Sequence, residues 1–140
     1  MDKFNQIRPI VLGLVRRGDK VLVQEGYDKV RKETFYRFLG GGIEFQEQSS
    51  SALKREFKEE LGVNINVGDY IGLLENIFVS NGKKAHELVL VYEGSISDKD
   101  YKENYHIVDD GTEMDATWIE IEKFKNGELI LYPEKVIEYL

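Results

Sequence analysis

A chain of 140 residues with 41% hydrophobic and 11% aromatic residues and only 2 prolines has the composition of a globular domain, not of a disordered segment. Its 26 acidic against 19 basic residues leave a formal net charge of -7, which repels nucleic-acid polymers and anionic membrane surfaces. The absence of cysteine excludes disulfides, thiolate metal sites and cysteine nucleophiles. The longest apolar stretch near the start, Pro9 to Val15, is far below the roughly 20 residues of a spanning helix. It also lacks a small-residue cleavage site. The expectation is a cytoplasmic protein forming a single domain over residues 1–140, with neither membrane nor nucleic-acid polymer as partner.

Taken in chain order, Ile7 to Val15 and Val21 to Gln24 are rich in β-branched residues and meet at the turn Gly18-Asp19, predicting a hairpin. A second extended stretch, Thr34 to Leu39, runs into the cluster Gly40-Gly41-Gly42. From Ser49 to Leu61 the period becomes helical, with Ala52, Leu53, Phe57 and Leu61 apolar and Gly62 ending the helix. Strands are predicted at Val63 to Val67, Tyr70 to Val79 and Glu87 to Tyr92, the last two joined at Asn81-Gly82. A turn at Asp109-Asp110-Gly111 precedes a strand from Ala116 to Ile121, and Pro133 to Leu140 suits a short helix. The class is α+β, a mixed β-sheet with one central helix and one short C-terminal helix.

The central helix is unusual in its charges. At 100° per residue, Glu56, Glu59 and Glu60 fall within one arc of about 100°, beside the apolar arc of Leu53, Phe57 and Leu61. Lys54 and Lys58 lie on the opposite side, so only Glu59 has a helical partner, Arg55 four residues earlier. Like charges at i,i+4 cost a few tenths of a kcal/mol in an isolated helix. A divalent cation reverses that sign, and carboxylate oxygens are the ligands magnesium and manganese prefer. Three helix glutamates taken alone are ordinarily a solvated face.

The upstream residues change that reading. Gly41, five residues, Glu47, seven residues and Arg55-Glu56-Phe57-Lys58-Glu59-Glu60-Leu61-Gly62-Val63 together resemble the box of the Nudix hydrolase family, G-x5-E-x7-R-E-U-x-E-E-x-G-U. Seven fixed positions match, at a chance frequency of roughly 10⁻⁸ per start position. The resemblance implies an α/β/α Nudix sandwich and a metal-dependent pyrophosphohydrolase, in which water attacks one phosphorus of a diphosphate linkage in a nucleoside diphosphate derivative.

By that resemblance Glu56, Glu59 and Glu60 are metal ligands with the carbonyl of Gly40, for Mg2+ or its substitute Mn2+. Gly41, Glu47, Arg55 and Gly62 are structural members of the box, Glu47 and Arg55 as a pair locking the loop to the helix. The general base is open between Glu56 and Glu59 inside the box and Glu113, five residues before Trp118, outside it. Arg37 could reach a substrate phosphate, and Tyr36 and Phe78 could stack on a base. Aromatic residues on strands are otherwise mostly core. His86-Glu87 resembles a His-Glu pair of some Nudix sequences, although a lone histidine at a strand start is ordinarily a surface residue. Leu39 stands where many members have proline, and Gln46 where a glycine is common, so the loop must turn without that freedom.

The substrate expected is a small phosphorylated molecule. No proline at Phe78 and no tyrosine at positions 78–80 lean away from ADP-ribose and dinucleoside-polyphosphate enzymes, towards a MutT-like enzyme acting on a nucleoside triphosphate. The alternative is a non-catalytic nucleotide-binding or sensor domain on the same fold. The missing cysteine closes the isoprenoid-diphosphate isomerase branch. Monomer and homodimer are both open.

Overall fold

The computed structural model describes residues 5–109 and 111–140. Strand β1 (Ile7–Arg17) turns at Gly18 into β2 (Lys20–Asp28), and β3 (Glu33–Arg37) leads into β4 (Leu39–Gly42). Helix α1 (Ser49–Leu61) follows, then the long hairpin β5 (Asn66–Ser80) and β6 (Lys83–Ser95). The chain closes with β7 (Asn104–Asp109), β8 (Thr112–Glu120), the short helix α2 (Ile121–Lys125) and a 3₁₀ turn over Glu134–Tyr139. The strands run in the order β5-β6-β1-β2-β8-β7, with β3 paired to β2 and β4 to β1. β1 and β6 are parallel and the other pairs antiparallel, so the sheet is mixed as expected.

Alternation along β1 divides the core in two. Val11 and Val15 face α1, where Leu53 and Phe57 are fully buried against them. Ile10, Leu12 and Leu14 face the other way and pack with Phe38, Phe124 and Val136. The turns follow their sequence signals: Gly18 has φ 62°, Asn81 and Gly82 have φ 51° and 80°, and Gly62 caps α1 at φ 68°.

Four elements differ from the sequence reading. The strand predicted at 63–67 begins only at Asn66 and runs on into the one predicted at 70–79 as a single strand, β5, whose irregular register between Val67 and Gly72 lets it continue through Gly68 and Asp69. β6 begins at Lys83, not at Glu87, because the tight Asn81-Gly82 turn pairs Ser80 with Lys83 immediately. β7 was not predicted: among its described side chains only Tyr105 and Ile107 are buried, too short an alternation to stand out. β8 ends at Glu120, so Ile121 opens α2 instead of closing a strand. The predicted turn includes Asp110, which lies outside the described residues, and its flanks pair Asp109 with Thr112. Among the described residues no helix is long and apolar enough to cross a membrane.

Gln46, expected to turn without glycine's freedom, has φ 68°. A non-glycine residue held in this region costs on the order of 1 kcal/mol, and glycine returns part of that gain through unfolded-chain entropy. Gln46→Gly should therefore leave stability unchanged or raise it by up to about 1 kcal/mol, whereas Gln46→Val, β-branched, should lower it by about 1 kcal/mol or more. Urea midpoints of the three proteins check the ordering; a glycine variant less stable than the valine variant contradicts it.

Candidate active site

The site forms where the glycine strand β4 lies against α1. Leu39 to Gly42 pair with Gly13 to Ile10 of β1, which places Gly41 on the α1 side. A β-carbon on Gly41 would overlap the Glu56 carboxyl group, and one on Gly40 would run into the Val11 carbonyl oxygen. Each glycine therefore permits a close approach that no side chain allows.

Arg55 organises the loop between them. Its Nε donates to Glu47 Oε2 at 2.8 Å and its Nη2 to Glu47 Oε1 at 2.9 Å, a two-point pairing of guanidinium and carboxylate. The same Nη2 donates to the Gly42 carbonyl at 2.9 Å, so one side chain ties the strand end, the loop and the helix together. Its Nη1 reaches Glu56 Oε1 at 3.0 Å and Glu59 Oε2 at 3.3 Å. The sequence reading paired Arg55 with Glu47 across the loop and, on the helix, with Glu59 alone, since neighbours at i,i+1 do not face each other on a helix. The long side chain folds back across the helix end and reaches Glu56 as well.

These contacts set the charges. The Arg55 guanidinium and the Glu44 backbone N–H, which donates to Glu47 Oε1 at 3.1 Å, hold the Glu47 carboxyl well below its ordinary value of 4.5, at about 2. A carboxyl whose pKa is depressed on folding contributes stability that is complete above its unfolded value and is lost as pH falls through the folded one. The stability gap between wild type and Glu47→Gln should therefore be constant above about pH 4.5 and shrink as pH falls towards about 2. Urea denaturation across that range measures it, and a gap that does not change with pH contradicts the assignment.

Glu56 has the opposite environment. Only 15% of its side chain is exposed, and burial pushes its carboxyl above the ordinary value, with Arg55 and a hydrogen bond to Glu60 offsetting part of that. Two carboxyl groups in hydrogen-bonding contact share a proton, and a divalent cation is the other species that draws two carboxylates together. The donor set of Glu56 and Glu60 beside a strand free of side chains fits such a hard, oxygen-ligated cation. Glu59 is exposed and drawn to Arg55, and among the described residues no three acidic or histidine groups converge as a ready-made cage.

The remaining candidates are distributed over three other places. Glu113 is exposed on the β7–β8 hairpin and ion-pairs with His106 Nε2 at 3.7 Å, in a group that includes Asp115, while lining a cavity of about 440 Å³ with Glu25 and Thr34. Arg37 donates to the buried Glu87 at 3.0 Å and shares a cavity with Phe78. Tyr36 is apart from them: its hydroxyl bonds Glu25 at 3.2 Å and its ring packs edge-on against Phe124. The partner of Glu87 was not foreseen, because Arg37 and Asn76 reach it from β3 and β5. The signal was a lone glutamate in the apolar run of β6. His86 Nε2 is buried and hydrogen-bonds to none of the described residues.

Three comparisons bear on this geometry. The chain is 32% identical to the CTP pyrophosphohydrolase of Escherichia coli (strain K12) over 62 residues, which are 44% of this chain and 46% of that protein. It thus spans under half the length of that curated relative. Its fold is similar to the MutT protein from Methanosarcina mazei Go1, at TM-score 0.70 and 18% identity over 95% of this chain and 91% of that one. It is also similar to a NUDIX hydrolase from Nitrosomonas europaea, at TM-score 0.68 and 21% identity over 95% and 85% of the two chains. The family model of the NUDIX domain matches residues 6–140, and Nudix hydrolases generally use divalent metal ions and act on small phosphorylated substrates. The chain belongs to the NUDIX family.

Proposed function

We propose that this protein is a magnesium-dependent pyrophosphohydrolase that cleaves a diphosphate linkage in a nucleoside triphosphate or a related small phosphorylated compound. The observation that carries this reading is the largely buried Glu56 carboxyl, held by Arg55 against the bare backbone of Gly41 and one helical turn from Glu60, where an anionic substrate is tolerated only with cations to offset the carboxylates. Similarity to a CTP pyrophosphohydrolase supports a nucleoside triphosphate as the first substrate to test.

Glu56, Glu59 and Glu60, with the Gly40 carbonyl, are the residues that would hold Mg2+ or Mn2+. A cation held there would neutralise charge on phosphate oxygens and lower the pKa of a water. Arg55 fixes the Glu56 carboxyl and ties the end of the glycine strand to the helix, so Glu56 is oriented before substrate arrives. A carboxylate of the site accepts the proton of the attacking water, with Glu56, Glu59 and Glu113 the groups to compare. As the new phosphorus–oxygen bond forms, the bond to the bridging oxygen breaks and the other phosphate portion leaves.

Incubation with CTP and a panel of nucleoside triphosphates in Mg2+ should release a nucleotide and pyrophosphate or phosphate, and EDTA should reduce the rate to background. Glu113→Gln with unchanged turnover removes that residue from the mechanism. Nucleotide binding by calorimetry without turnover across the panel overturns the catalytic reading in favour of a binding domain.

A further inference from the structure

The face of the sheet opposite α1 carries a second polar site. Arg8 and Glu87 are paired across β1 and β6, and Arg8 Nη1 lies 3.9 Å from Glu87 Oε2. Glu87 is 5% exposed, and its Oε1 already accepts from Arg37 at 3.0 Å and Asn76 at 3.3 Å. Arg8, Arg37, Phe78, Ser80 and Glu87 line a cavity of about 110 Å³. An adjoining cavity of about 60 Å³ shares Arg37 and Phe78 and adds Arg31 and Asp28.

The charge balance of these walls is opposite to that of the chain. Three guanidinium groups face two carboxylates, in a protein of formal net charge -7. Asp28 is engaged elsewhere: its oxygens accept from the backbone N–H groups of Val30, Arg31 and Asn81 at 3.0, 3.0 and 3.2 Å. Arg8 has five N–H donors and, among the described residues, only the long contact to Glu87 to engage them. The walls are thus rich in donors and positive charge.

The cavity lies across the glycine strand from the glutamates. β4 pairs with β1 alone, so it is the rim of this part of the sheet. Gly41 faces Glu56 on one side of that rim, and the Arg8 guanidinium lies 3.5 Å from where a β-carbon of Gly42 would stand on the other. A rim of three glycines presents no side chain to a ligand passing from one face to the other.

We propose that the Arg8–Arg37–Glu87 cavity is an oxyanion subsite, holding a phosphate or carboxylate of the substrate that is not part of the bond cleaved. Arg8 supplies donors that no described residue engages at short range, while Glu87, itself held by Asn76, fixes the position of Arg37. This deepens the pyrophosphohydrolase reading and rests on it for the identity of the bound molecule, but its test needs neither metal nor turnover. In EDTA, which removes any metal-bridged phosphate at the glutamates, inorganic phosphate, acetate and the neutral nucleoside cytidine are titrated separately into ¹⁵N-labelled protein.

The result expected is saturable shifts of the Arg8, Arg37, Phe78 and Glu87 amides with phosphate, with acetate, or with both, the responding probe identifying the source of the anion. Arg8→Gln, at a partly exposed position, should weaken that binding by roughly tenfold. Unmoved amides with both anions, equal affinity in the Arg8→Gln protein, or cytidine binding more tightly than either anion overturns the proposal. Separate Mg2+-dependent turnover of a nucleoside triphosphate then distinguishes failure of the subsite from failure of the pyrophosphohydrolase reading.

Discussion

Glu56→Gln should lower turnover by about 100- to 1,000-fold and leave the fold intact. Glutamine keeps the size of the side chain and its acceptor for Arg55 Nη1, so the helix and loop have little reason to move. What it removes is the negative charge, and with it both a ligand for a cation and a proton acceptor. Glu59→Gln should cost less, because Glu59 is 59% exposed at its side chain and stands on the solvent side of Arg55. Rates for the two variants at saturating Mg2+, with circular dichroism to confirm folding, test the ranking. Equal turnover in wild type and Glu56→Gln removes Glu56 from the chemistry.

The neighbouring glycines should separate stability from activity. Gly40→Ala places a β-carbon into the Val11 carbonyl oxygen, which belongs to the backbone of the central strand and cannot rotate aside. The strand pair must separate locally, at a cost of about 3 kcal/mol or more. Gly41→Ala meets only the Glu56 carboxyl group, the end of a side chain that can turn away. It should cost little stability but reduce turnover, because Glu56 leaves its place beside Arg55. Denaturation midpoints and rates for both variants measure this, and a stable, active Gly40→Ala protein contradicts the packing described.

The box was legible because it is local: its spacing, the 3.6-residue period of α1 and the glycine stop lie within one continuous segment. The faces of the sheet were not. Arg8 meets Glu87 only because β1 and β6 run parallel, a pairing that joins residues far apart in sequence. Arg37 and Phe78 were singled out by chemistry and do share a cavity, but Tyr36, adjacent to Arg37, turns into the second core cluster. Strand alternation separates neighbours in this way, and the sequence near Arg37 contained nothing to say which residue faced the cavity. β5 and β7 were misjudged for a related reason, since a long irregular edge strand and a short, mostly exposed one both blur the two-residue period.

In the proposed reaction, water attacks phosphorus at the Glu56 site. Hydrolysis of CTP in H₂¹⁸O with Mg2+, followed by mass spectrometry of the products, tests it most directly. One ¹⁸O atom is expected in a single phosphate-bearing product from the wild-type protein, and label at background with Glu56→Gln. Label appearing equally with both proteins, or turnover that leaves the phosphates unlabelled, would contradict it.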